Sequence, residues 1–228
     1  MAVLNLPALV ANETMSAEMA ATLQLTAELQ RSFLVVAIPR WAGKSTVAAA
    51  TLACAPASAP VRVLTEHPGD LDALSGSAAE GYLVVPEVSE GPVPGYIWGD
   101  PVRRVFATLD RGYALATALH APGLDEAFGV LCDGNGVPDE HASHIDLMVY
   151  LRSLGDDWRA PTRRVLAEMH EIEAVIDGRP RARLLHRWDE DADRFEQLAE
   201  PSLPAVAAGG LEERAAFIRR AADAHSAG

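Results

Sequence analysis

An apolar run at residues 33–37, Phe-Leu-Val-Val-Ala, passes through a short loop into Gly43-Lys44-Ser45-Thr46 and on into the small-residue stretch 47–53. Strand, loop and helix in that order make a phosphate cradle, in which backbone N–H groups at a helix N-terminus face an anion. Lys44 is the only lysine in the chain; every other basic side chain of fixed charge is arginine. A slim ammonium on a flexible stem can reach between phosphates where a planar guanidinium fits poorly. The pattern assigns Lys44 to the β- and γ-phosphates of a nucleotide and the Ser45 hydroxyl to Mg²⁺. In the usual phosphate-loop spacing, G-x-x-x-x-G-K-[ST], Ile38 holds the first glycine position, and a β-branched residue there excludes a turn that needs positive φ.

With 228 residues the chain can bury one substantial core. Apolar residues make up 49% and charged ones 22%, an ordinary globular balance rather than a disordered one. The formal charge of −13 argues against sequence-independent DNA or RNA binding, whose energy comes from clustered cations on phosphates. No apolar run approaches the roughly 18 residues of a membrane span, and no basic residue precedes Arg31, so a cytoplasmic protein is expected. Cys54 and Cys132 are expected to be reduced and half-buried.

Periodicity predicts a helix over residues 14–31, with Asn12 or Thr14 as its cap, and strands at 33–37, 61–65, 81–86 and 113–119. Helices are expected at 47–53, 102–110 and 125–132, with Gly112 closing the second of these. Residues 145–154 and 162–176 read as paired strands, 178–180 as a turn, 181–187 as a further strand, and 211–224 as a final amphipathic helix. Strands alternating with helices imply a mostly parallel sheet in an α/β fold, with ligands at the carboxyl ends of the strands. Lys44, Glu66, Glu87 and His120 each follow a predicted strand, so all four are expected on one rim. Glu87, a carboxylate at the end of an apolar strand, suits the orientation of an attacking water, and His120 suits contact with a γ-phosphate.

Here the chain resembles a family. Residues Ile38-Pro39-Arg40-Trp41-Ala42-Gly43-Lys44-Ser45-Thr46 are similar to the Gly-Pro-Thr-Gly-Ser-Gly-Lys-Ser-Thr loop of the motor ATPases of type II secretion, type IV pili and tight-adherence pili. Leu64-Thr65-Glu66-His67-Pro68 resembles that family's acidic Thr-Ile-Glu-Asp-Pro motif, and Leu83-Val84-Val85-Pro86-Glu87-Val88 its Walker B stretch. The segment from Gly112 to Ala121 resembles its histidine motif, with His120 in register. The resemblance implies a RecA-like core with ATP and Mg²⁺, the loop from Pro39 to Thr46 on the nucleotide, and Glu66, Glu87 and His120 as catalytic groups. It also implies a homo-oligomeric ring working with an inner-membrane secretion or pilus partner. On this reading residues 1–30 are a helical lead-in, 31–200 the ATPase domain, and 201–228 a linker and helix. The departures are Ile38, His67 in place of the aspartate, and a lead-in too short for the family's separate N-terminal domain.

Two other functions fit parts of the chain. Those departures suit a nucleotide-binding regulator or docking module with little turnover, and Arg179-Pro180-Arg181-Ala182-Arg183 could serve a small-molecule kinase as a basic lid. Arg103, Arg104 and Arg111 are expected on a solvated helix face, with an arginine finger as the sharper role. His141 and His144 read as a polar loop rather than a metal site, and residues 189–193 as a charged turn.

Overall fold

A computed structural model describes residues 4–39, 41–64, 80–157, 159–202 and 205–226. Two helices lead in, α1 (Leu6–Ala11) and α2 (Ala17–Glu28). The cap of α2 is Ser16, whose Oγ accepts from Met19 N at 3.2 Å, rather than the predicted Asn12 or Thr14. Asn12 and Thr14 instead bond each other in the turn between the helices. α2 is packed on most of its circumference. Met19, Ala20, Ala21, Leu23 and Ala27 are all fully buried, because α1, α3 and the last helix pack around it. Its threonines tolerate this burial by donating to carbonyls one turn back, Thr22 to Glu18 and Thr26 to Thr22.

The sheet begins with β1 (Ser32–Ile38), followed by α3 (Lys44–Leu52), β2 (Val61–Val63), β3 (Tyr82–Val88), β4 (Tyr96–Ile97), α4 (Asp100–Leu109) and β5 (Ala114–Leu119). Then come α5 (Leu124–Gly129), a π-helical turn at Val130–Gly134, and α6 (Asp139–Ala142). The chain continues through β6 (Ile145–Leu154), β7 (Arg163–Ile176), β8 (Arg179–Asp189), β9 (Arg194–Gln197) and α7 (Ala205–Ser226). Among the described residues the strands run in the order β2-β3-β5-β1-β6-β7-β8-β9, with β4 on β3. The half from β2 to β6 is parallel, and β6 to β9 form an antiparallel extension.

β1 lies between β5 and β6 with both faces covered, which is why its sequence is a continuous apolar run. Phe33, Val35 and Ala37 point to the layer of α1, α2, α3 and α7, while Leu34 and Val36 point to the layer of α4 and α5. On α4, Val102, Val105, Phe106 and Leu109 form the buried stripe. Gly112, at φ 104, ends that segment as expected, its N–H donating to Leu109 O at 2.9 Å. On the opposite layer α7 turns Ala215, Ile218 and Ala222 into the core against α1 and α2, so these residues serve the chain's own packing.

Some local expectations are corrected. The turn after β7 is Asp177-Gly178, and Pro180 already lies in β8. Arg179, Arg181 and Arg183 pair with Asp133, Glu173 and Glu171, so this basic stretch is part of a strand and not a lid. Cys54 and Cys132 are half-buried and not linked to each other. No helix among the described residues is long and apolar enough to cross a membrane.

Candidate nucleotide site

Register brings the site together. Val36 of β1 and Val88 of β3 both pair with Leu119 of β5, so the three strands finish level. His120 follows β5 directly, and Lys44 opens α3 after the loop that leaves β1. Glu87 lies inside β3 rather than after it, because the strand continues to pair with β4 through Glu87 and Tyr96. The register of β3 on β5 shifts between Val85 and Val88, around Pro86, which has no N–H to give the ladder. A bulge of this kind re-aims a side chain. Here Pro86 is exposed and Glu87 is 5% exposed.

Buried Lys44 and Glu87 meet the half-buried His120 in one group. Lys44 Nζ stands 3.4 Å from Glu87 Oε2, and 3.1 and 3.3 Å from His120 Nδ1 and Nε2. His120 Nδ1 is also 3.2 Å from Ala37 O, which can only accept. Nε2 stands between Lys44 Nζ at 3.3 Å and Glu87 Oε1 at 3.0 Å, so its role as acceptor or donor follows the proton it carries. Glu87 Oε1 lies 3.0 Å from Nε2 yet accepts no hydrogen bond among the described residues. One ammonium thus stands against both a carboxylate and an imidazole, and a buried carboxylate oxygen has no hydrogen-bond donor among the described residues.

The loop reaches α3 without the glycine at position 38. Ile38 completes β1 opposite Arg152, and positive φ moves to Trp41 at 67° and Gly43 at 99°. Gly43 is the N-cap of α3 in a left-handed conformation, and no side chain caps the first N–H groups of the helix there. Arg164 of β7 holds the loop from the side, its Nε donating to Trp41 O at 3.0 Å. A Cβ on Gly43 would come within 3.3 Å of Arg164 Cδ. Only the pairing of β6 with β7, Ser153 opposite Arg164, brings this arginine near, and no local sequence signal marks it.

Two clefts flank the loop. One, of about 410 Å³, is lined by Lys44, Glu87, Tyr96 and His120; the other, of about 540 Å³, lies toward α1, β6 and β7. Trp41, Gly43 and Ser45 border both. Ala42 is buried and Thr46 half-buried in the first turn, with Ser45 exposed. Arg40, Glu66 and His67 lie outside the described residues. So of the four groups expected on one rim, Lys44, Glu87 and His120 are together there.

Other candidates lie elsewhere. Arg103 binds Asn135 O and Asp100, tying α4 to the π-helical turn. His141 and His144 converge on Asp110, at 3.1 and 2.6 Å, joining the end of α4 to α6 and the start of β6. The His144 hydrogen bond, foremost, holds the Asp110 carboxyl below its usual range. No cluster able to hold a metal ion occurs among the described residues. Residues 189–193 form the β8–β9 turn, where Asp189 accepts from Asp191 N and Ala192 N.

No family model matches the chain, and no curated protein matches it. Among solved structures it is similar to the VirB11 ATPase from the Brucella suis type IV secretion system, solved in complex with sulphate, with a TM-score of 0.50 and 14% identity. The likeness covers 68% of this chain and 52% of the VirB11 chain, so it spans about half that protein's length. At this identity the likeness is one of fold: a mixed α/β sheet, mostly parallel at its centre, with flanking helices.

Proposed function

We propose that this chain binds a Mg²⁺–nucleoside triphosphate, ATP by preference, at the start of α3 and hydrolyses it, as a divergent relative of the secretion and pilus motor ATPases. The observation that carries this reading is the convergence of Lys44, Glu87 and His120 on one cleft at the level ends of β1, β3 and β5. Fold likeness to an ATPase of a secretion system supports it. Residues 31–200 form the proposed catalytic core. A ring of identical subunits and a membrane-embedded partner are the proposed setting, in the cytoplasm.

Lys44 leaves Glu87 and His120 to contact the β- and γ-phosphates, and the N–H groups of the first turn of α3 take the remaining phosphate oxygens. That departure frees Glu87 to accept from a water. As the water oxygen bonds to the γ-phosphorus, the bond to the bridging oxygen breaks and ADP takes the electron pair, while the water's proton passes to Glu87. His120 contacts the γ-phosphate, and Glu66 is proposed as a further catalytic group. For Mg²⁺ the chain offers the exposed Ser45 hydroxyl in the lining of the cleft that also holds Glu87, whose buried Oε1 has no hydrogen-bond partner among the described residues. When bound, the ion neutralises charge on the β- and γ-oxygens.

Phosphate release should require Mg²⁺ and should disappear in Lys44→Ala. Loss of a charge-assisted contact worth about 1.5–3 kcal/mol predicts a ten- to hundred-and-fifty-fold drop in ATP affinity. A variant that binds and hydrolyses like the parent sinks the reading. The Lys44–Glu87 pair also favours a second reading, a nucleotide-binding regulator with little turnover, since it occupies the groups that hydrolysis needs. Under it ATP raises the melting temperature while phosphate release stays at background.

A further inference from the structure

The phosphate loop divides two clefts of different character. Toward β3 and β5 the floor is Glu87 and His120, suited to the terminal phosphate and its water. Toward α1, β6 and β7 the walls include Leu9, Val47 and Leu151, at 3%, 1% and 0% exposure. Trp41 stands where the two meet, 66% exposed. A bulky side chain at φ 67° is uncommon and persists only where its surroundings hold it. Here Arg164 grips the Trp41 carbonyl, holding the backbone that carries the indole. The Nη1 and Nη2 atoms of Arg164 form no hydrogen bond among the described residues, and this side chain also lines the second cleft.

We infer that the second cleft is the nucleoside compartment of this site, with the Trp41 indole stacking on the base and the terminal nitrogens of Arg164 meeting the ribose or the first phosphate. The inference rests on the proposed triphosphate site and adds to it the part that distinguishes a nucleotide from a bare polyphosphate. A triphosphate whose γ-end lies at Glu87 and His120 passes over Gly43 and Ser45, which border both clefts, and its other end then emerges on the Leu9 and Leu151 side. There a wall of mixed apolar and threonine side chains, an exposed aromatic side chain and a cation with spare donors match a base joined to a sugar phosphate. The chain's own α1 thereby closes the compartment, through Leu9.

Calorimetric titration of the full chain with Mg-ATP and with inorganic tripolyphosphate, in the parent and in Trp41→Ala, Trp41→Phe and Lys44→Ala, tests this. The parent should bind ATP more tightly than tripolyphosphate. Trp41→Ala should weaken ATP roughly ten- to a hundredfold, the usual worth of base–aromatic stacking, and leave tripolyphosphate unchanged. Trp41→Phe should keep most of the difference, while Lys44→Ala weakens both ligands. Equal binding of the two ligands by the parent, or an ATP-to-tripolyphosphate ratio unmoved by Trp41→Ala, overturns the nucleoside compartment and leaves the phosphate site standing. If the parent binds neither ligand, the phosphate site fails and the compartment with it.

Discussion

Lys44 Nζ stands 3.4 Å from Glu87 Oε2, with side-chain exposures of only 8% and 7%. A buried ion pair of this kind is costly to break by deleting one partner, because the other is left charged and uncompensated. It also means that the cation proposed for the phosphates and the carboxylate proposed for the water hold each other until a ligand separates them.

Glu87→Gln should therefore separate binding from turnover. Phosphate release should fall about 10²–10⁴-fold with loss of the general base. ATP affinity should hold or rise, since Lys44 no longer has a carboxylate to leave. Single-turnover phosphate release and calorimetry on the same variant measure the two effects. A loss of affinity equal to that of Lys44→Ala would refute the proposed division of roles.

Gly43→Ala places a side chain at φ 99° and brings a Cβ within 3.3 Å of Arg164 Cδ. The expected cost is about 1 kcal/mol or more in stability, with a weaker hold on ATP because the loop must shift. Thermal unfolding with and without nucleotide checks both effects. An unchanged melting temperature together with unchanged affinity would show that the left-handed cap is dispensable.

His186 is 1% exposed, its Nε2 accepts or donates no hydrogen bond among the described residues, and burial pushes its pKa down from 6.5 to about 4. Above the unfolded value of 6.5 the ring is neutral in both states, and its full contribution to stability is present. As the pH falls toward 4, the unfolded chain gains a proton that the folded one refuses, so stability is lost across that window. With 1.36 kcal/mol per pKa unit, the loss is on the order of 3 kcal/mol. Urea titrations at several pH values should show a shallower decline for His186→Phe than for the parent.

Tyr82 is fully buried on β3, and its hydroxyl donates to Arg31 O at 2.8 Å, with Thr26 O at 3.3 Å. It ties the strand that carries Glu87 to the segment joining α2 and β1. Tyr82→Phe should cost about 1 kcal/mol and lower the melting temperature by about 2–4 °C. A melting curve that overlays the parent's would show that water satisfies these carbonyls as well.

The parallel half of the sheet was legible because its strands are buried on both faces and read as apolar runs, as at Leu34 to Ala37 and Leu83 to Val85. Lys44 and His120 were legible because they stand beside strand ends. Glu87 was found for a partly mistaken reason, since β3 runs past it to pair with the two-residue β4. No period marks so short a strand. β9, Arg-Phe-Glu-Gln, is held by its pairing with β8, including Trp188 opposite Phe195, rather than by its own sequence. The alanine-rich α2 hid its extensive burial, because small residues look neutral until other helices close around them. Arg164 could not be found from the loop it grips, since their relation depends on the strand register far along the chain.

That grip has a mechanical side. β7 and β8 form a long ribbon of 14 and 11 residues, and Arg164 sits near the start of its first limb with Nε on the Trp41 carbonyl. A neighbour that bent this ribbon would pull on the backbone beside Gly43, making outside force and the proposed seating of a polyphosphate two ends of one short lever.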